Sequence, residues 1–335
     1  MVRPTTAVNE GCTHRPTIAL ALALGIAAAA SPALAADPAP QWQLVWADEF
    51  DGTALDRTKW IPERSCWGGG NNERQCYTDR PVNVRVAGGQ LHLIARKERF
   101  RGPDRPPEIA ARPNPDVTQH YTSGKVRTLG LHAWKYGKIE FRARPPKGQG
   151  TWPAVWMMPS GNVYGAWPLS GEIDILEGVN LGARCAECQG TVGENRMSSA
   201  MHFGKPPPGN TYVVQHVALP DQSLPSDQFH VWTLEWGKGL LRYYLDGRLY
   251  WEVTADKWFT ASPKARGNPA APFDQPFYLM ANLAFGGKLA EDNNDKGIAK
   301  GSVPAELAID WIRVYQCDRD SDTGLACMGP RKGAE

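Results

Sequence analysis

Residues 240–253 read LLRYYLDGRLYWEV, two apolar runs joined by Asp246-Gly247. Asp-Gly between β-prone segments marks a two-residue hairpin, because both central positions of such a turn need positive φ. Period-two alternation recurs in QLHLIAR (90–96), GKIEFRAR (137–144), HVWTLEW (230–236) and AIDWIRVY (308–315). Alternation sends successive side chains to opposite faces of a strand. No long segment sustains the 3.6-residue period of a helix, and Gly and Pro recur at short intervals. Longer loops are expected near 101–120, 256–275 and 286–305. The pattern predicts an all-β chain: an antiparallel β-sandwich, a jelly roll, of roughly 280 residues with a concave substrate cleft on one outer face.

The N-terminus carries a different signal. Arg3, His14 and Arg15 precede the apolar run TIALALALGIAAAA, and SPALA ends in an A-x-A-like cleavage site. This reads as a secretory signal peptide over 1–35, cleaved after Ala35, followed by a Pro-containing linker over 36–42. The run is short for a membrane span, so no membrane association is expected. Six cysteines remain after Cys12 in the leader: Cys66, Cys76, Cys185, Cys188, Cys317 and Cys327. An even number in an exported chain argues for disulfides. Proximity favours Cys66–Cys76, Cys185–Cys188 and Cys317–Cys327, although six cysteines allow fifteen pairings. Cys185-Ala-Glu-Cys188 is also compatible with a redox or zinc CxxC, but no second CxxC or nearby His pair completes a metal site. Residues 317–335 read as a polar tail tied down by the last pair. The formal charge of +2 is small and unclustered, which excludes a nucleic-acid footprint. Thirteen Trp exceed what a core requires and point to aromatic platforms.

The most unusual stretch is EIDILE, 172–177, with three carboxylates within six residues of an apolar strand. Period two places Glu172 and Asp174 on one face and would turn Glu177 into the core, where a lone carboxylate is costly. One extra residue at Ile175-Leu176, a β-bulge, would return Glu177 to the acidic face. Two carboxylates flanking a bond are what glycoside hydrolysis requires, and a third between them raises a neighbour's pKa. By itself the pattern also fits a solvated acidic strand. Trp152, Trp156 and Trp167 all fall within the twenty-one residues before Glu172. Flat aromatic faces of this kind stack on sugar rings, although each alone fits core packing equally well.

Six segments in order, GGGNNERQCYTDRPVNVRV (68–86), YTSGKVRT (121–128) with YGKIEFRARPPKGQG (136–150), WPAVWMMP with GAWPLSGEIDILE (152–177), HFG (202–204), PFDQPFYLMANLAFGG (272–287) and DWIRVYQ (310–316), together resemble glycoside hydrolase family 16. The resemblance covers most of 43–316, which it marks as the catalytic domain. ExDxxE resembles the laminarinase-like branch rather than branches with ExDxE. It implies a jelly roll that cleaves β-glucans internally with retention. Glu172 then matches the nucleophile, Glu177 the general acid/base and Asp174 the residue that tunes the pair. Asn72, Trp152, Trp156, Trp167, His202 and Asn282 are implied to line sugar subsites, with a core or supporting role, not touching sugar, left open for His202 and a loop-fixing one for Asn282. Catalysis is expected to need no cofactor. A structural Ca2+ is implied at Glu49, Gly89 and Asp310, since oxygen ligands suit a hard cation. EDNNDKG (291–297) resembles the start of an EF-hand poorly, because Lys296 occupies a ligand position and no Glu closes the loop. The long segment NLGARCAECQGTVGENRMSS (180–199) departs from simpler laminarinases and is expected to form a rigidified loop beside the cleft.

The expectation is therefore a secreted, monomeric endo-β-1,3-glucanase whose partner is a polysaccharide, with mixed β-1,3-1,4-glucan as a further substrate. The rival readings are a hydrolase of another polysaccharide, agarose or carrageenan, and a non-catalytic β-glucan-binding protein. TWPAVWMMPSGNVYGAWP contains no Arg or Lys to hold sulfate, which favours a neutral glucan.

Overall fold

The computed structural model describes residues 39–109, 112–188 and 192–330. The leader 1–35 with its Cys12, and residues 36–38 of the linker, lie outside these residues. Residues 40–330 fold as one β-sandwich of a ten-stranded and a seven-stranded sheet. In spatial order the smaller sheet runs Asn210–Ala218, Arg196–Gly204, Glu172–Glu177, Thr151–Pro159, Phe277–Phe285, Lys125–Arg127 and Ile61–Pro62. The larger sheet is built on the long strand Ala305–Cys317. Gly137–Arg144 pairs with one edge of it, and Gln90–Pro103 and Trp42–Asp48 share the other. Among the described strands, pairings are antiparallel except that Gln75–Tyr77 runs parallel to Asp116–Ser123.

Alternation explains how the sheets meet. In the smaller sheet Val155, Met157, Ile173, Met201, Leu279 and Leu283 point inward; in the larger, Ile139, Phe141, Trp232, Leu234 and Ile312 do. All are buried at 1 % exposure or less. Each such side chain contributes about 1.5–3 kcal/mol on leaving water. The hairpin closes as its sequence requires, with Asp246 at φ 49° and Gly247 at φ 74°.

Two sequence expectations change. The segment 101–120 is not all loop, because strands run through Pro103 and resume at Asp116. Arg101 and Asp116 are exposed positions of this strand pair, 3.8 Å apart, which composition alone reads as coil. The C-terminal segment is also more than a tail. Leu325–Met328 forms a short helix, Met328 is buried, and the Arg242 guanidinium donates to its carbonyl. All three disulfides join the cysteines nearest in sequence, so the CxxC is a disulfide and not a metal or dithiol pair.

Candidate active site

The acidic strand is bulged where its sequence doubles the apolar step. Its register shifts between Asp174 and Leu176 against one neighbour and between Asp174 and Glu177 against the other. Ile175 and Leu176 both go to the core, at 1 % and 0 % exposure. Glu172, Asp174 and Glu177 therefore share the outer face. Two hydroxyls brace the distortion: Ser199 Oγ donates to the Ile175 carbonyl at 2.6 Å and lies 2.6 Å from Tyr250 Oη. Gly171 is needed just before the strand, at φ 84°, because a Cβ there would come within 2.8 Å of the Phe273 ring.

Tryptophans hold the two glutamates by their N–H groups. Trp167 Nε1 donates to Glu172 Oε2 at 2.7 Å, and Trp152 Nε1 donates to Glu177 Oε1 at 2.9 Å. Trp156 Nε1 donates to Asn282 Oδ1 at 2.7 Å. Trp167 is the most exposed of the three, whereas Trp152 packs on Ala284 and Ala290. His202 Nε2 sits 3.4 Å from Asp174 Oδ2 and 3.8 Å from Glu172 Oε1. The structure thus brings Glu172, Asp174, Glu177, Trp152, Trp167 and His202 together, with the Trp156–Asn282 pair on the adjoining strands. Asn72 lies at φ 58° in the neighbouring loop, exposed. Asn282 anchors Trp156, not a loop.

Burial raises both glutamates, but the charges around them differ. Burial raises the pKa of Glu172, but the His202 charge, the Trp167 hydrogen bond and the Lys125 charge all work against it. Burial also raises Glu177. There the Trp152 hydrogen bond and the His202 charge oppose the shift, while the charges of Glu172 and Glu73 add to it. Asp174 is raised well above the carboxylate range by burial and by Glu172. Burial disfavours the charged His202 ring, yet the Asp174 hydrogen bond and the surrounding carboxylates outweigh it and lift the ring to about 9.

Sequence reasoning missed several groups that shape this field. Glu73 directly follows Asn72, is buried, and accepts from Gln75 Nε2 at 2.7 Å. Lys125 Nζ lies 5.1 Å from the Trp156 ring centroid and 3.1 Å from the buried Glu63. Arg127 joins Glu63 at 3.4 Å and also pairs with Glu108. The one available clue was Lys-Val-Arg in the strand 125–127, with two cations on one face.

The loop after the acidic strand is tied to the segment near 290. Asn180 Nδ2 donates to the Ala290 carbonyl at 2.8 Å, Asn294 Nδ2 donates to Glu194 Oε2 at 3.0 Å, and Arg184 pairs with Asp295. Gln149 Nε2 donates to the carbonyls of Ala290, Asn293 and Gly297, so EDNNDKG is held by amides.

The three positions considered for Ca2+ converge along one side of the strand Ala305–Cys317, where the strands Gln90–Pro103 and Trp42–Asp48 meet it in turn. Asp310 falls between Ile309, paired with Leu91, and Ile312, paired with Asp48. The donor set does not fit the ion. Glu49 is bound bidentately by Arg313 at 2.8 and 2.9 Å, and Asp310 Oδ2 accepts from Arg142 at 2.6 Å. Two carboxylates already neutralised by guanidinium leave no anionic cage for a hard cation.

A sandwich with paired carboxylates on a tryptophan-lined outer face is the architecture of a glycan-cleaving enzyme. A model of the GH16 domain of β-porphyranases A–D matches residues 42–317, and the chain belongs to glycoside hydrolase family 16. It is 36% identical over 322 residues to the glucan endo-1,3-beta-glucosidase A1 of Niallia circulans; the match covers 93% of this chain but 42% of that protein. Among solved structures it is similar to the laminarinase from Rhodothermus marinus, at 33% identity and TM-score 0.66 over 83% of this chain and 98% of that one. It is also similar to SCLam, a non-specific endo-beta-1,3(4)-glucanase, at 33% identity and TM-score 0.62 over 83% and 95% of the two chains.

Proposed function

We propose that this glycoside hydrolase is a retaining endo-β-1,3-glucanase that also accepts mixed-linkage β-1,3-1,4-glucan. The observation that carries the assignment of roles is the unequal support of the two glutamates. Glu172 has an N–H donor and two nearby cationic groups, which suits an ionised nucleophile. Glu177 also has an N–H donor and the His202 cation, but two like charges, Glu172 and Glu73, act against them, which suits a protonated acid. Glu172 attacks the anomeric carbon while Glu177 protonates the departing glycosidic oxygen. Glu177 then takes a proton from water, which releases the glycosyl group from Glu172. Asp174, beside His202 and with its pKa raised by burial and by Glu172, does not ionise together with its two neighbours and so keeps a proton between them. Trp156, Trp167, Asn72 and Asn282 supply sugar contacts. Carboxylate chemistry of this kind needs no cofactor.

The porphyranase-type family model favours a second reading, a sulfated galactan substrate. Against it, the cleft cations are already committed: Lys125 and Arg127 pair with Glu63, and Arg127 also with Glu108. Sulfate would have to displace a buried carboxylate. A non-catalytic binding protein would not need all three acids.

We place the catalytic domain at 43–316 and infer export through a signal peptide at 1–35, in keeping with three disulfides. No helix among the described residues is long and apolar enough to cross a membrane. A monomer suits action on a polymer.

The test compares laminarin, mixed-linkage glucan, agarose and porphyran by reducing ends, and reads the anomer of the first product by NMR. Glu172→Gln is expected to lower kcat by at least about a thousandfold with an unchanged circular-dichroism spectrum. A folded, fully active variant would overturn the assignment, and hydrolysis of porphyran alone would reverse the order of substrates.

A further inference from the structure

The cleft face does not stop at the acids. Directly paired residues cross the strands in rows: Glu172, His202 and Tyr212; Asp174, Ala200 and Val214; Glu177, Ser198 and His216. Directly opposed residues share a face of a sheet. Tyr212, Val214 and His216 on the strand Asn210–Ala218 therefore look out beside the carboxylates. The intervening strand contributes Ala200 and Ser198, whose small side chains keep the floor low. His202 and Tyr212 form one wall, with ring centroids 5.4 Å apart and planes 32° apart. Trp167 continues that wall on the other side of His202, 6.1 Å away.

Tyr212 is 57% exposed. Core packing does not account for a tyrosine in that position, and sheet-edge strands usually carry charge or proline instead of aromatics. Strands lie about 4.8 Å apart, so Tyr212 stands about 10 Å from Glu172, beyond the ring whose bond is broken. His216, four residues further along the strand, lines a separate polar cavity of about 480 Å³ together with Arg196, Gln222 and Arg248.

We propose that the strand Asn210–Ala218 carries a further sugar subsite, in which Tyr212 is the stacking platform, holding a pyranose ring of the substrate one ring removed from the scissile bond. The proposal rests on the glycan-hydrolase reading above. The ligand chemistry follows from the site. An open aromatic face matches the apolar face of a neutral pyranose, and the His202 imidazole at its edge can meet equatorial hydroxyls. Tyr212 is a specificity-determining residue here and does not touch the reacting atoms.

The experiment measures kcat and KM for the wild type, Tyr212→Ala and Tyr212→Phe on β-1,3-gluco-oligosaccharides from the disaccharide to the hexasaccharide. Tyr212→Ala is expected to lower kcat/KM about tenfold, ~1.4 kcal/mol, on the longer substrates and mainly through KM. The shortest cleaved substrate should be unaffected, and Tyr212→Phe should behave like the wild type. An equal loss at every length, or no loss at any, would overturn the subsite. Should the wild type cleave no glucan, the glucanase reading fails separately. The subsite is then read by calorimetry on Glu172→Gln, with and without Tyr212→Ala, against glucan and agar-type hexasaccharides. Weaker binding in the double variant supports the subsite; equal binding, or none, rejects it.

Discussion

Two buried carboxylate clusters lie on the same seven-stranded sheet and titrate in opposite directions. At the edge near Ile61–Pro62, burial pushes Glu63 up, but Lys125 and Arg127 more than reverse the shift and hold its pKa low. On the acidic strand, three carboxylates share one imidazole, and all three are raised. Burial is common to both; the supply of cations is what differs. A fully compensated carboxylate is an inert strut, whereas under-compensated ones keep a proton available near neutral pH. The two clusters also respond oppositely to pH. The depressed Glu63 contributes stability that is complete above the unfolded value of about 4.3 and fades as pH falls through its lower folded value. The raised trio contributes fully below its unfolded values and loses that contribution as pH rises through the folded ones.

The comparison can be broken most severely at the bulge. Deleting Ile175 should turn Glu177 inward or pull its partners out of register, with kcat falling about a thousandfold or more. Thermal melting accompanies the assay, since the core also loses a buried side chain; near wild-type activity would show that the spacing is tolerated. Next comes Lys125→Met, which removes one of the two cations from Glu63. A loss of about 3 kcal/mol in urea unfolding is expected, toward the lower end for a broken buried pair because Arg127 remains. The loss should shrink at acid pH, where Glu63 protonates. The smallest effect is a shift rather than a loss. His202→Gln removes the cation that lowers both Glu172 and Glu177, so both limbs of the kcat/KM profile should move to higher pH. Immobile limbs would assign His202 a purely structural role.

What could be read from the sequence was local. The hairpin at Asp246-Gly247 and the bulge at Ile175-Leu176 each follow from a few consecutive residues and the period of a strand. The acids and their tryptophans lie within 152–177, so one window contained most of the site. The compensated cluster was not legible, because Glu63, Glu108 and the pair Lys125 and Arg127 converge only through sheet pairing and loop closure. Tyr212 escaped for a related reason. NTYVVQHVA alternates weakly, with apolar residues on both faces, so neither face could be chosen as the outer one until His202 fixed the register. At Glu49 and Asp310 the positions converged, but the neighbouring arginines, Arg313 and Arg142, changed what the carboxylates do.

The disulfides bear on how the chain matures. Each joins a cysteine to the next one along, across 10, 3 and 10 residues. As the polypeptide emerges from its N-terminal side, Cys66 meets Cys76 before Cys185 exists, and Cys185 meets Cys188 before Cys317. Among the described cysteines, oxidation in order of appearance therefore yields the final connectivity without a shuffling step. None of the bonds waits for the two sheets to find each other, so covalent maturation and assembly of the sandwich can proceed independently.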